Sequence, residues 1–233
     1  MKNRRILVFA PHPDDEILGC GGTMARYIAE GGDVSVCYVT SGQPPIYDNS
    51  AAVKNGWPHT LYPEIMESKK TLGIRDIFFL EFPAVDVESI PRYRFNQKIQ
   101  ELINSLKPDT VFMPHFGDMQ KDHTFVTESI MVAVRPKGDH SVKIVYAYET
   151  LSETEWNIPH VKNVFLPNVF VDITNYLAIK KKAMSCYQSQ LGEFPNPRSL
   201  EAVEALAKLR GSTMGVKAAE AFYLVREYRT GDL

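Results

Sequence analysis

Cysteine is scarce: three in 233 residues (Cys20, Cys37, Cys186), far apart and without a C-x-x-C pair. That argues against a disulfide framework and a cysteine zinc site, and it fits buried free thiols in a reducing compartment. Long apolar runs are lacking, and nothing approaches the roughly 20 residues of a membrane span. The basic start Met1-Lys2-Asn3-Arg4-Arg5 leads into only a short apolar stretch, so no signal peptide is expected and the cytoplasm is the expected location. Charge of one sign is lacking as well. With 26 basic and 28 acidic side chains the net charge is −2, which gives no footprint for nucleic acid. The G-x-S-x-G signature of serine hydrolases is absent. The dinucleotide pattern G-x-G-x-x-G is absent too, and Gly19-Cys20-Gly21-Gly22 follows acids that would repel a pyrophosphate. These glycines are expected to let a helix approach the sheet closely. No repeat, low-complexity tract or linker divides the chain, so residues 1–233 are expected to form one domain.

What is present is an alternation of apolar runs and amphipathic stretches. Ile6–Phe9 reads as a strand buried on both faces. Residues 16–30 read as a helix stopped by Gly31-Gly32. Val34–Val39 is a second strand, and residues 42–58 a loop long enough to suspect function. A helix from Pro63 to Leu72, a strand at Ile77–Leu80, a helix over 89–106, a strand at Val111–Met113, a helix from Asp122 to Val134 and a strand at Ile144–Tyr148 complete the regular part. Beyond it, a strand is expected over Val164–Val171 and a helix capped by Thr174 running to about Gln190. A turn-rich stretch follows at Leu191–Pro197, then a helix over Ser199–Leu209 and a short strand at Phe222–Val225. The βα order predicts an α/β fold, Rossmann-like, with a mostly parallel sheet and helices on both faces.

Two polar knots fall at strand ends, where open α/β sheets place their chemistry. The first is Pro11-His12-Pro13-Asp14-Asp15-Glu16. The second is Gly117-Asp118-Met119-Gln120-Lys121-Asp122-His123. His12 and Asp15 can converge from one tight turn, and His123 is the natural third ligand of a metal with an open position for water. Two histidines and a carboxylate suit zinc, and they also resemble the facial triad of non-haem iron. Asp14 is the candidate general base. Each part has a plainer reading: a His-Pro turn, or aspartates that favour a helix start. The shared context of strand end and helix start favours the metal.

These motifs resemble the PIG-L/LmbE-like family of zinc-dependent N-deacetylases. Pro11–Glu16 followed by Gly19-Cys20-Gly21-Gly22-Thr23 matches its first motif, and Asp118–His123 its second. Weaker echoes run from Thr40-Ser41-Gly42 to Ala219-Glu220-Ala221-Phe222. The resemblance implies Zn2+ (Fe2+ being the other option) held by His12, Asp15 and His123, with Asp14 as base and Asp118 and Asp122 behind the ligands. It implies removal of an N-acetyl group from a glucosamine-type sugar or sugar conjugate. The alternatives are an amidase acting on a non-sugar N-acyl compound, and a non-catalytic sugar- or nucleotide-binding module. Relatives of this kind are often homo-oligomers, and the sequence itself names no interface.

Two departures stand out. Many members have a histidine where Gln120 stands; Gln120 can donate to an oxyanion but cannot deliver a proton. His115 fits a variant with an upstream histidine, and His115 or Asp14 would then supply the proton. Many members also have an arginine three residues before the glutamate matching Glu64, a substrate-binding candidate, and here it is Leu61. Trp156 could stack on a sugar or cover the core. His59, His140 and His160 are expected at the surface, and Lys180-Lys181-Lys182 reads as a solvated helix face.

Overall fold

The computed structural model describes residues 3–42, 53–54, 57–58, 61–137 and 140–229. Most of the expected 42–58 loop and His59 lie outside the described residues. Strand β1 (Arg5–Ala10) leads through a turn into α1 (Asp15–Ala29), then β2 (Asp33–Thr40). A small antiparallel pair, β3 (Val53–Lys54) and β4 (Trp57–Pro58), precedes α2 (Leu61–Leu72) and β5 (Asp76–Phe82). The chain continues with α3 (Arg92–Leu106), β6 (Thr110–Pro114), α4 (Lys121–Ala133) and β7 (Ile144–Tyr148). It ends with β8 (Val169–Asp172), α5 (Leu177–Met184), α6 (Leu200–Thr213) and β9 (Ala219–Glu227).

The main sheet has the order β5-β2-β1-β6-β7-β9-β8. Its first five strands are parallel, while β9 runs antiparallel between β7 and β8. Alternation along β1 explains the layers. Ile6, Val8 and Ala10 face a core shared with α1, α2, α5 and α6. Leu7 and Phe9 face the opposite core, built on Phe95, Ile99 and Ile103 of α3 and Phe125, Val126 and Ile130 of α4. From β1 the chain steps outward through β2 to β5, then crosses back to β6 on the other side. The carboxyl ends of β1 and β6 therefore flank the point where strand order reverses, which is where ligand crevices form in such sheets.

Several expectations about the second half are corrected. Of the Val164–Val171 stretch only residues 169–171 are strand, in an element that runs Val169–Asp172; Pro167 has no N–H to give a ladder, and pairing starts where Asn168 N reaches Phe222 O. Thr174 does not cap a helix. Its N–H donates to Asp172 Oδ1, and α5 begins later and ends at Met184. Ser199 does cap α6, accepting from Ala202 N, and that helix runs on to Thr213. The last strand is nine residues long. Lys180 is buried, not solvated, because Glu220 on β9 and the Leu18 carbonyl meet its ammonium. His140 is half-buried with its Nε2 on Pro108 O, whereas His160 is exposed. Cys20 and Cys37 are buried and Cys186 is half-buried.

Candidate active site

The turn after β1 is tight because Pro11 and Pro13 fix its backbone and α1 starts at once. His12 N donates to Asp15 Oδ2 at 2.8 Å, which folds the carboxylate back under the imidazole. Asp14 closes the turn at φ 106°, strained for a side-chain-bearing residue. Its N–H donates to Glu16 Oε2, while Tyr38 and Tyr187 hydroxyls donate to Glu16 Oε1. Glu16 thus acts as a buried peg for the strained turn. Burial raises its carboxyl to about 7 against those three hydrogen bonds.

Across the reversal point, α4 presents His123 in its first turn. His12 Nδ1, Asp15 Oδ2 and His123 Nε2 form a triangle with all three sides 3.3 Å. Ligands held about 2.0–2.1 Å from a tetrahedral cation stand roughly 3.3 Å from one another, so the triangle fits such an ion. Each imidazole has its other nitrogen fixed. His12 Nε2 meets Asp122 Oδ2 at 2.9 Å, and His123 Nδ1 meets Asp118 Oδ2 at 2.8 Å. A carboxylate only accepts, so those nitrogens carry hydrogen and Nδ1 of His12 and Nε2 of His123 face the triangle. The carboxylates are themselves held: Asp122 by Val85 N, Asp118 by the Thr154 hydroxyl.

Several buried polar atoms on the two turns that carry the triangle lack a partner. Both oxygens of Asp14, Oδ1 of Asp15 and Oε1 of Gln120 are buried without a hydrogen-bond partner. The field is anionic. Burial opposes charge on His12, but hydrogen bonds to Asp122 and Asp15 outweigh it and lift the imidazole to about 9. His123 is likewise raised against its burial, chiefly by Asp15. Burial would raise Asp15, yet the two imidazoles hold it well below the usual carboxylate range. Burial lifts Asp14 to about 8, with Arg198 opposing and Asp15 and Glu16 adding. A divalent cation would answer the field that otherwise keeps protons on the two imidazoles.

Two residues of this site carry no sequence signal. Arg198, in the turn before α6, reaches Asp14 Oδ2 at 3.4 Å through Nη1 and Glu153 Oε1 at 3.9 Å through Nη2. Ser152 Oγ and Gln190 Oε1 hold the guanidinium in place. Glu153, in the turn after β7, is 3% exposed and accepts from Gln120 N at 3.1 Å. Burial raises its carboxyl, and His123 opposes the rise.

The remaining candidates stand apart. His115 is buried between Phe116 and Phe165, with Nε2 on the Asn163 carbonyl at 3.1 Å. Glu64 spends both oxygens on Ser189, tying α2 to the segment after α5. Trp156 is 58% exposed and covers no core. A cavity of about 330 Å3 opens behind the 150–165 loops, lined by Thr150, Asn157, Phe165 and Arg210 among others; no member of the triangle lines it.

Comparison with known proteins bears on the fold and the family. A probable N-acetyl-alpha-D-glucosaminyl L-malate deacetylase 2 from Bacillus cereus is 25% identical over 191 residues, 80% of this chain and 84% of that protein. The conserved protein TT1542 from Thermus thermophilus superposes with a TM-score of 0.75 at 28% identity, over 97% of each chain. The 4-carboxy-2-hydroxymuconate hydratase of Pseudomonas putida KT2440 superposes with a TM-score of 0.73 over 100% of both chains at 19% identity, a likeness of fold alone. Residues 7–134, more than half of the chain and including all three corners of the triangle, match the family described as GlcNAc-PI de-N-acetylase, and the protein therefore belongs to the PIG-L family.

Proposed function

We propose that this protein is a metal-dependent hydrolase that removes the acetyl group from an N-acetylated amino sugar or sugar conjugate. The observation that carries the reading is the 3.3 Å triangle of His12, Asp15 and His123, with the adjacent Asp14 carboxylate free of hydrogen bonds and paired only with Arg198 at 3.4 Å. The donor set suits Zn2+, with Fe2+ the other option. Bound there, the cation would supply Lewis acidity, polarising the amide carbonyl and making water a better nucleophile near neutral pH.

The chain's own groups do the rest. Asp14 takes the proton of the attacking water, since neither of its oxygens is engaged by a hydrogen bond. Arg198 favours the ionised form of that base. The Gln120 side chain offers an N–H to the oxygen that gains charge, and it has no acidic proton to give away. Trp156 offers an exposed face for a sugar ring. The sugar reading is supported by the family and by the Bacillus cereus relative, both concerned with N-acetylglucosamine conjugates.

The test is metal analysis of the purified protein together with amine release from N-acetylglucosamine and its conjugates. About one divalent cation per chain is expected, with release abolished by a chelator. Asp14→Asn should lower kcat by about 10²–10⁴-fold while the cation is retained. Bound metal with no amine from any N-acetylated sugar would overturn the sugar deacetylase.

A further inference from the structure

Expelling an amine from an amide requires a proton at nitrogen as the C–N bond breaks, and Gln120 cannot provide one. His115 donates its Nε2 hydrogen to the Asn163 carbonyl, its Nδ1 has no partner, and its ring is packed between two phenylalanines rather than held on the Arg198 guanidinium. Asp118 and Asp122 accept from the imidazoles. Arg198 stays charged. Arg198 Nη1 stands 3.4 Å from Asp14 Oδ2 and its Nη2 stands 3.9 Å from Glu153 Oε1, so Glu153 is the more loosely paired of the two.

We propose that Glu153 is the acid that protonates the departing amine. Its position is built from three sides. The backbone of Gln120, three residues before His123, donates to Oε2 at 3.1 Å. Met119 N donates to the Glu153 carbonyl, so the turn after β7 is stitched to the turn before α4. Arg198 spans Asp14 and Glu153 with one guanidinium, which puts the two carboxyl groups on opposite arms of a rigid fork. Oε2 is occupied as an acceptor, which leaves Oε1 to carry the proton, with its cationic neighbour beyond hydrogen-bond range.

This inference rests on the deacetylase reading, and its steps balance as follows. Water oxygen bonds to the acyl carbon and its proton passes to Asp14. The C–N bond then breaks with its electron pair going to nitrogen, and nitrogen takes the proton from Glu153 Oε1. Amine and acetic acid leave. The proton taken by Asp14 restores Glu153 through solvent, with no oxidant or reductant involved.

The experiment compares two acyl donors on one sugar, 2-acetamido-2-deoxyglucose and its thioacetate analogue with sulfur in place of nitrogen. A thiolate leaves without a proton, whereas an amine does not. In the metal-loaded enzyme, Glu153→Gln should lower kcat for the amide by about 10²-fold or more and lower the amide-to-thioester ratio by a similar factor. Glu153→Asp keeps an acid and should recover part of that ratio. An unchanged ratio in Glu153→Gln overturns the assignment and returns the proton to Asp14. If the wild-type enzyme cleaves the thioester but no N-acetylated sugar, the deacetylase reading itself fails, and the acid's role fails with it.

Discussion

The side chains behind the triangle fix its chemistry as firmly as the triangle itself. Asp118 receives hydrogen bonds from His123 Nδ1 at 2.8 Å and from the Thr154 hydroxyl at 2.6 Å, so it orients one imidazole and is oriented in turn. Asp118→Ala would free that ring to rotate and would lower its basicity. Supports of this kind are typically worth 10–100-fold in metal affinity. Competition with a chromophoric chelator should show a loss of that order in Asp118→Ala, with the fold unchanged by circular dichroism. Unaltered affinity would mean that backbone packing alone orients His123. The clustering of His12, Asp15 and His123, with Asp14 next in the chain, was legible in the sequence because short loops at strand ends hold these residues close in the chain or within one motif. Arg198 and Glu153 were not. They come from turns that only tertiary packing brings to Asp14, and neither an arginine after Pro197 nor a glutamate after Ser152 differs locally from a surface residue.

Helix α1 shows the same division at the level of elements. Its glycines are explained by neighbours: a Cβ on Gly19 would stand 2.2 Å from the Tyr148 ring, and one on Gly22 would stand 2.7 Å from Ile173. The close approach was readable from the glycines, but the partners were not. Lys180 is the clearest failure of local reading. Three consecutive lysines look solvated, yet Lys180 Nζ donates to Glu220 Oε1 and to Leu18 O, and Glu220 also accepts from Gly22 N and Thr23 N. This buried pair fastens β9 and α5 to the helix that carries Asp15. Lys180→Met strands a buried carboxylate and should cost about 3–5 kcal/mol, lowering Tm by on the order of 10 °C. Adding Glu220→Gln should recover part of the loss, because the uncompensated charge goes while an acceptor for the backbone remains. A double variant no more stable than the single one would show that the cost lies in packing rather than in charge. The first-half strands and helices, by contrast, were legible because each is buried along a simple period of two or 3.6 residues. The nine-residue β9 was under-read, because its second half is half-buried or exposed.

For the whole molecule, the corners of the triangle join parts distant in sequence. His12 and Asp15 follow β1, His123 opens α4, and the two loops meet only because β6 lies beside β1 in the sheet. An unfolded chain cannot hold three ligands 3.3 Å apart, so a cation that binds the triangle binds the folded state and stabilises it by mass action. At a free metal concentration about 100 times the dissociation constant the gain is about 2.7 kcal/mol, which for a chain of this size corresponds to roughly 5–10 °C in Tm. The shift should grow with the logarithm of metal concentration and vanish on chelation. In a variant lacking a corner, such as His123→Ala, added cation should produce no shift, although the variant's own Tm will also move because a buried imidazole and its Asp118 partner have been disturbed. Scanning calorimetry with zinc, with iron(II) under anaerobic conditions and with chelator would read all three cases. The cation with the larger shift at equal free concentration is the one the site prefers. A wild-type Tm indifferent to both ions would break the link between the triangle and metal, and with it the mechanism built on Asp14.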